Sequence, residues 1–496
     1  MKINNYWKKI FLALILLLGS AIRLVGPIRG DFAFTYDTGR DFLAIRKIVL
    51  EHKLTLLGPT TGLPGVFYGP WWYYFLTVPF FIFQGNPQYV AIIIALSGIA
   101  VILLMFLWAK YFWQTQKGSL LLIVLIGIVA FSSSHIGNAT QIWNPSLLPL
   151  AIAFWLFSFL FFLDQKNWAS LLMGLFSALV LEMQAAFGIF FFISQLLALE
   201  VVYRRQWSFK KLVFFFTGAL IIFSPRIIFE LRHNFLMSKS IIKFFSEEGF
   251  SAELGLINRL FQRLIAFWEI WNNTLANGAT WLGISLVIFC LIARFFYYRR
   301  FLSKERKMVN FLIIVFLGIY FMFSFYGGSF WSYYLVGLPL LFAVLLAILW
   351  RAWSFFLKPR IFLVISILYL LFLFWQDLSD FIKNIGWEGD IAVYRNVINV
   401  VHETYRQANG RPFNFIVYTP PVIPYTYQYL FTWLAEEKYH NLPQQENQSL
   451  LFAIIEPDKE RPSRQEQWML EYKDDGKIIN ERLLPGEVIL QVRKRE

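Results

Sequence analysis

Apolar residues come in long unbroken runs along this chain, and short basic clusters separate the runs. Residues 88–109 (QYVAIIIALSGIAVILLMFLWA) hold no charge for 22 positions, and about 20 such residues carry a helix across a bilayer. Comparable runs lie at roughly 9–26, 118–134, 145–163, 168–183, 186–203, 211–228, 278–296, 309–326, 333–350 and 360–376, which makes eleven predicted spans. One further apolar piece, 71–83 (WWYYFLTVPFFIF), is too short, because thirteen residues reach only about 20 Å at 1.5 Å each. The basic clusters decide its place. With the N-terminus cytoplasmic and 71–83 not crossing, the inward loops carry Lys110 and Lys117, then Lys166, then Arg204, Arg205, Lys210 and Lys211. Further inward clusters are Arg294 to Lys307 and Arg351, Lys358 and Arg360, while the short outward loops 135–144, 184–185 and 327–332 hold no Lys or Arg. A crossing at 71–83 would invert every later loop, against the excess of Lys and Arg on the cytoplasmic side. The segment is expected to be re-entrant or interfacial.

Three stretches then fall outside: the first loop (27–87), the loop 229–277, and the chain after about residue 377. The pattern of the tail changes sharply. Residues 413–418 (FNFIVY), 450–455 (LLFAII) and 485–493 (PGEVILQVR) read as short strands, and 391–407 and 464–473 as helices. The chain is therefore expected to comprise a polytopic α-helical membrane domain, 1–377, and a small extracytoplasmic α/β domain, 378–496. No catalytic motif is visible in the tail.

Composition supports this and removes alternatives. Hydrophobic residues make up 58% and charged residues 15% of the 496, against roughly 45–50% and 25% in soluble domains. A soluble enzyme, a secreted disulfide scaffold and a disordered chain are excluded. The net charge of +14 sits in the loop clusters that set orientation, so nucleic acid is not an expected partner. The single cysteine, Cys290, lies in an apolar run and leaves no intramolecular disulfide and no cysteine-built metal site. The N-terminal basic-then-apolar stretch lacks a small-x-small cleavage site after it, and reads as an uncleaved first helix. There is no HExxH, GxSxG, P-loop or DxD.

Candidate chemistry gathers at the outer boundary rather than at mid-membrane, where ionisable groups are costly. In 31–53 (DFAFTYDTGRDFLAIRKIVLEHK), Phe42, Ile45 and Val49 or Leu50 recur at helical spacing, with Arg46, Lys47 and Glu51 opposite. That predicts an amphipathic interfacial helix after Thr38. Asp37 precedes it, and Asp41 follows four residues later on the same side. Asp37 either caps the helix or serves as a general base or metal ligand, and Arg40 and Arg46 suit a phosphate. Residues 57–74 (LGPTTGLPGVFYGPWWYY) read as turns ending in a headgroup-level aromatic belt or a sugar-stacking platform. Other outer polar groups lie in HIGNATQIWN (135–144), at Glu182 and Gln184 between two spans, and in PRIIFELRHN (225–234). Arg226 and Glu230, four apart, read as a salt bridge or as ligand-binding groups.

The segments Tyr36-Asp37-Thr38-Gly39-Arg40-Asp41, Phe67-Tyr68-Gly69-Pro70-Trp71-Trp72-Tyr73-Tyr74, Trp143-Asn144-Pro145 and Ser224-Pro225-Arg226 through Glu230-Leu231-Arg232-His233-Asn234, on this layout, resemble the GT-C-type membrane glycosyltransferases. The likeness is to the bacterial protein-mannosyltransferase and aminoarabinose-transferase group. It implies transfer of a sugar, with inversion, from a polyprenyl-phosphate carrier to an extracytoplasmic acceptor at the plasma membrane. By the same resemblance Asp37 is the catalytic loop acid, with Asp41 beside it. Arg40, Arg226 and Arg232 are then the donor-phosphate candidates, and Tyr68, Trp71, Asn138, Asn144, Glu182 and Gln184 the substrate-pocket candidates. No ATP is required and no cofactor is specified, and a divalent metal on Asp37 and Asp41 is left open. Two positions depart from the family pattern: Thr38 stands where many relatives have Glu, and Gly69 where they have a Lys before the proline. Arg40 or Arg232 would then take that lysine's part. Two rival readings are a lipid or polysaccharide transporter, which would place ionisable groups and broken helices near the midplane, and a polysaccharide polymerase or ligase, which would hold its key basic residues in later outer loops.

Overall fold

The computed structural model describes residues 5–114, 118–244, 246, 255–383, 389–420 and 423–495; Lys117 of the first inward loop lies outside them. The chain opens with α1 (Asn5–Arg29), followed by α2 (Tyr36–Glu51), α3 (Trp71–Ile82), α4 (Pro87–Phe112), α5 (Gly118–Phe131), α6 (Ser133–Ala139), α7 (Leu148–Leu163) and α8 (Asn167–Met183). Next come α9 (Ala185–Tyr203), α10 (Phe209–Arg232), α11 (Leu236–Lys243), α12 (Leu256–Leu275), α13 (Thr280–Ile292), α14 (Ser303–Phe325), α15 (Leu338–Leu349) and α16 (Pro359–Lys383). The tail holds α17 (Tyr394–Ala408), β1 (Asn414–Tyr418), α18 (Tyr425–Leu434), β2 (Leu450–Ile455), α19 (Pro462–Glu471), β3 (Lys477–Leu484) and β4 (Val488–Lys494).

Among the described residues, nine helices are long and apolar enough to cross a bilayer, and α5 with α6, bent by 53°, makes a tenth if the pair is one span. The eleventh run of the sequence is α8, whose 17 residues extend about 26 Å. This is a multi-pass α-helical membrane protein. In contrast, α3 has 12 residues, about 18 Å of helix, and packs its buried Trp72 and Leu76 inward beside α2. Helix α12 is amphipathic rather than uniformly apolar and lies within the loop 229–277.

Helix packing places the polar groups that follow. Helices α8 and α10 run against each other so closely that a Cβ on Gly174 would strike the carbonyl of Phe215, and one on Gly218 the carbonyl of Leu171. Small residues permit such backbone approach in membranes, where no hydrophobic drive pulls helices together. The tail sheet has the order β1-β2-β4-β3, with β1 parallel to β2 and the other pairs antiparallel. Strand β2 is buried along its whole length, which is why its sequence is an unbroken apolar run.

The tail is stitched to residues 30–34 by backbone. Phe34 N donates to Ala392 O at 2.7 Å, Tyr394 N to Phe32 O at 2.9 Å and Arg395 N to Gly30 O at 3.2 Å. Phe34 packs against Phe42 of α2, Tyr394 of α17 and Tyr429 of α18, with ring centroids 5.6–6.2 Å apart. These three elements share one apolar core.

Candidate active site

Helix α2 begins because Phe42 and Ile45 bury one face. Its N-cap residue is Thr35, whose side chain makes no capping hydrogen bond. Asp37 therefore does not cap the helix. It sits in the first turn, where its charge suits the helix dipole, and its carboxylate pairs with Arg40 at 2.8 Å while the side chain stays 64% exposed. Arg40 turns its other edge on Asp41, with Nη2 and Nε donating at 2.8 and 3.1 Å. Asp41 is buried, and it also accepts from Trp72 Nε1 at 2.8 Å and Tyr73 OH at 3.3 Å. Burial pushes the Asp41 carboxyl above its usual range, against the pull of Arg40 and the Trp72 indole. Asp37 and Asp41, expected on one side of the helix, thus differ: one faces solvent and the other is enclosed.

A second cluster forms where the 57–70 loop meets the ends of α8 and α10. Glu182, fully buried, pairs with Arg226 at 2.6 Å and accepts from Gly69 N at 2.5 Å. A Cβ at position 69 would collide with the Glu182 carboxylate. Gly69, which stands where the resembled family has a lysine, is thus required by the close approach of that acid. Tyr68 OH donates to Gln184 Oε1 at 3.1 Å, and burial pushes its phenol up to about 12. Asn144 interacts with the same phenol and donates to Met183 O at 2.7 Å. The expected Arg226–Glu230 pair is not the arrangement found. Glu230 instead accepts from Met237 N, Ser238 N and Ser238 OH and anchors the start of α11. Glu182 and Gln184, placed by sequence between two spans, are buried.

The 57–70 loop joins the two clusters, since Arg40 Nη1 reaches Thr60 Oγ1 at 3.4 Å while Tyr68 and Gly69 hold the second cluster. Thr38 OH donates to Ile142 O at 3.3 Å, which ties α2 to the 135–144 loop. The structure therefore brings together Asp37, Arg40 and Asp41, and beside them Tyr68, Asn144, Glu182, Gln184 and Arg226. Three sequence candidates are placed elsewhere. Arg232 is exposed at the end of α10, Trp71 donates to Ile222 O on α10 at 2.8 Å, and Asn138 is buried beside Arg23 and His135. Both oxygens of Asp41 are occupied by N–H and O–H donors, so the Asp37–Asp41 pair offers a cation a single carboxylate. No cluster of three His, Cys, Asp or Glu occurs among the described residues.

Sequence reasoning missed several groups. Trp72 and Tyr73 hold Asp41, yet they read only as aromatics of a belt. Tyr333 and Tyr334 come from the loop after α14, where Tyr333 packs on Trp143 at 5.6 Å and interacts electrostatically with Tyr68. Arg263 of α12 lies buried over the Phe330 ring at 4.1 Å and donates to Phe323 O at 3.3 Å. Its signal in sequence was a basic residue within an amphipathic helix.

No protein-family model and no curated protein sequence matches the chain. Among solved structures, ArnT from Cupriavidus metallidurans with undecaprenyl phosphate bound aligns over 99% of this chain and 98% of its own, at 11% identity and a TM-score of 0.57. The apo form of the same protein aligns over 98% of each chain, at 12% identity and a TM-score of 0.58. An Archaeoglobus fulgidus oligosaccharyltransferase covers 74% of this chain and 53% of its own at a TM-score of 0.45, too loose a match to bear on the fold. The architecture implied by the resemblance to GT-C glycosyltransferases is present: from the first helix to the C-terminal sheet, the chain folds as ArnT does.

Proposed function

We propose that this protein is a membrane glycosyltransferase that moves a sugar from a polyprenyl-phosphate carrier to an acceptor at the outer face of the plasma membrane. The observation that carries this reading is the Asp37–Arg40–Asp41 cluster. One carboxylate is presented to solvent at the membrane boundary by a guanidinium, and that guanidinium is fixed by a second, enclosed carboxylate. In this reading the N-terminus is cytoplasmic, residues 1–377 hold the transfer site, and residues 378–496 stand outside as an acceptor-side support.

Asp37 accepts the proton of an acceptor hydroxyl as its oxygen attacks the anomeric carbon. The bond from that carbon to the carrier phosphate breaks, and the phosphate leaves with the bonding pair, which inverts the centre in one displacement. The donor is already activated, so nucleotide hydrolysis is not needed. In this reading Arg226 receives the phosphate, which is supported by Glu182 taking only one edge of its guanidinium while the fork has five N–H donors. The apolar carrier tail remains in lipid. Fold likeness to a protein whose structure holds undecaprenyl phosphate supports a carrier of this class.

The test is Asp37→Asn in the full chain, with transfer and undecaprenyl-phosphate binding measured side by side. Loss of a general base lowers turnover about 10²–10⁴-fold, while carrier binding and membrane yield stay at wild-type levels. Full transfer by the Asn variant would falsify the assignment.

A further inference from the structure

We propose that a small polar cavity between α1, α4, α5 and the 135–146 segment binds one water molecule, and that this water fixes the segment in place beside the candidate active site. The cavity has a volume of about 10 Å³ and is lined by Arg23, Gly98, His135, Asn138 and Ser146, among others. That is the room of one water-sized sphere. None of these residues belongs to the Asp37 or Glu182 clusters.

Three buried atoms of the lining residues have no hydrogen-bond partner among the described residues: Arg23 Nε, His135 Nε2 and Asn138 Oδ1. Their residues are 1%, 5% and 8% exposed, so bulk solvent does not serve them. Leaving such atoms unpaired is costly, and ordered water is their usual partner. The rest of each polar group is engaged. Arg23 Nη1 donates to Gly19 O at 2.9 Å and Ala130 O at 2.8 Å, and Nη2 to Val129 O at 2.7 Å. Asn138 Nδ2 donates to Ser146 O at 3.1 Å, which fixes the amide with Oδ1 as its free end. Gly98 keeps the space beside Arg23 open, since a Cβ there would stand 3.4 Å from Nε and strike Ala139.

The set of donors and acceptors selects water. Arg23 Nε–H can only donate, and Asn138 Oδ1 can only accept. A cation would face the guanidinium and an anion the amide oxygen, whereas a water accepts from the first and donates to the second. Its third bond meets His135 Nε2, as donor or acceptor according to the ring's tautomer. About three hydrogen bonds are usual for a buried water.

The location gives the water its role. Arg23 holds the carbonyls of Val129 and Ala130 where α5 bends by 53° into α6, and His135 and Asn138 lie on α6. Further along the same segment, Ile142 O accepts from Thr38 of α2 and Asn144 interacts with Tyr68. The water therefore couples α1 to a segment that touches both acid clusters' surroundings, and Arg23, His135 and Asn138 are positioning residues.

The experiment uses the full-length protein in lipid nanodiscs, and neither readout depends on sugar transfer. A cryo-EM map that shows ordered water is expected to hold a peak about 2.7–3.2 Å from Arg23 Nε, His135 Nε2 and Asn138 Oδ1. Backbone hydrogen exchange over 135–147, followed by mass spectrometry, reads the positioning role. His135→Phe keeps a ring and removes Nε2 without breaking any hydrogen bond of that side chain to the described residues. With the water bound, the variant loses one of its hydrogen bonds and should exchange about fivefold faster in this segment. The proposal is overturned if the map holds no such peak. It is also overturned if His135→Phe exchanges as slowly as wild type or more slowly, as it would if Nε2 faced nothing. A peak about 2.3–2.6 Å from Asn138 Oδ1 and clear of Arg23 would be a cation, and would overturn it too.

Discussion

Two acid–guanidinium clusters stand a loop apart, and they are built differently. At Glu182–Arg226 the acid is fully buried and the cation 19% exposed, with a backbone N–H closing the arrangement. At Asp37–Arg40–Asp41 there are two acids for one cation, and the surplus carboxylate is 64% exposed. The first fixes α8, α10 and the 57–70 loop to one another and, in the proposed reading, holds Arg226 for the carrier phosphate. The second holds a carboxylate in contact with solvent, and its buried member does the holding. An acid is available for chemistry only when something else neutralises the cation that positions it.

The sharpest way to break the contrast is to remove each exposed or enclosed acid in turn. Asp37→Asn should cost the most in transfer, about 10²–10⁴-fold, with thermal stability within about 0.5 kcal/mol of wild type, as for an exposed site. Glu182→Gln should instead act first on stability. It leaves the Arg226 charge without its partner, a loss of about 3–5 kcal/mol for a broken buried pair, read as lower folded yield and melting temperature. Glu182→Gln/Arg226→Leu should recover much of that stability, because removing both partners leaves no uncompensated charge.

Asp41→Asn comes next, at about 1–3 kcal/mol for lost charge-assisted hydrogen bonds. Its pH dependence has a definite sign. Burial raises the folded-state pKa of Asp41, so the folded state binds this proton more tightly than the unfolded chain. The stability it contributes is full below the ordinary carboxylate range near pH 4 and declines as pH rises through the raised value. Thermal unfolding across that range should show the decline in wild type and not in Asp41→Asn. The smallest effect is expected for Arg46→Gln, which removes an ion pair to Glu436 of the tail. Such a pair with an exposed partner contributes about 0–1 kcal/mol, and salt should mask the difference from wild type in a melting curve.

Much of this was legible in one dimension. A bilayer requires each crossing segment to be apolar over its whole length, so the spans could be read without knowing how they pack. The α2 helix followed from the spacing of Phe42 and Ile45, and β2 from its buried apolar run. Strand β3 (KIINERLL) did not follow, because its residues are mostly exposed and it exists through pairing with β4. Helix α18 (YTYQYLFTWL) escaped as well, since its aromatics show no polar stripe until α2 and α17 cover them.

The sequence by itself determined the number and placement of apolar runs, the basic clusters between them, and the acids and arginines of the loops. Tertiary structure decided which of those charges meet. Spacing along one helix nominated Glu230 for Arg226, but close packing of α8 on α10 delivered Glu182 from another helix instead. Likewise, one carboxylate of α2 was enclosed by Trp72 and Tyr73 of α3 and the other left in solvent. Neither outcome is encoded in a local pattern. Electrostatic partners are selected by distance in space, and helix packing alone sets that distance.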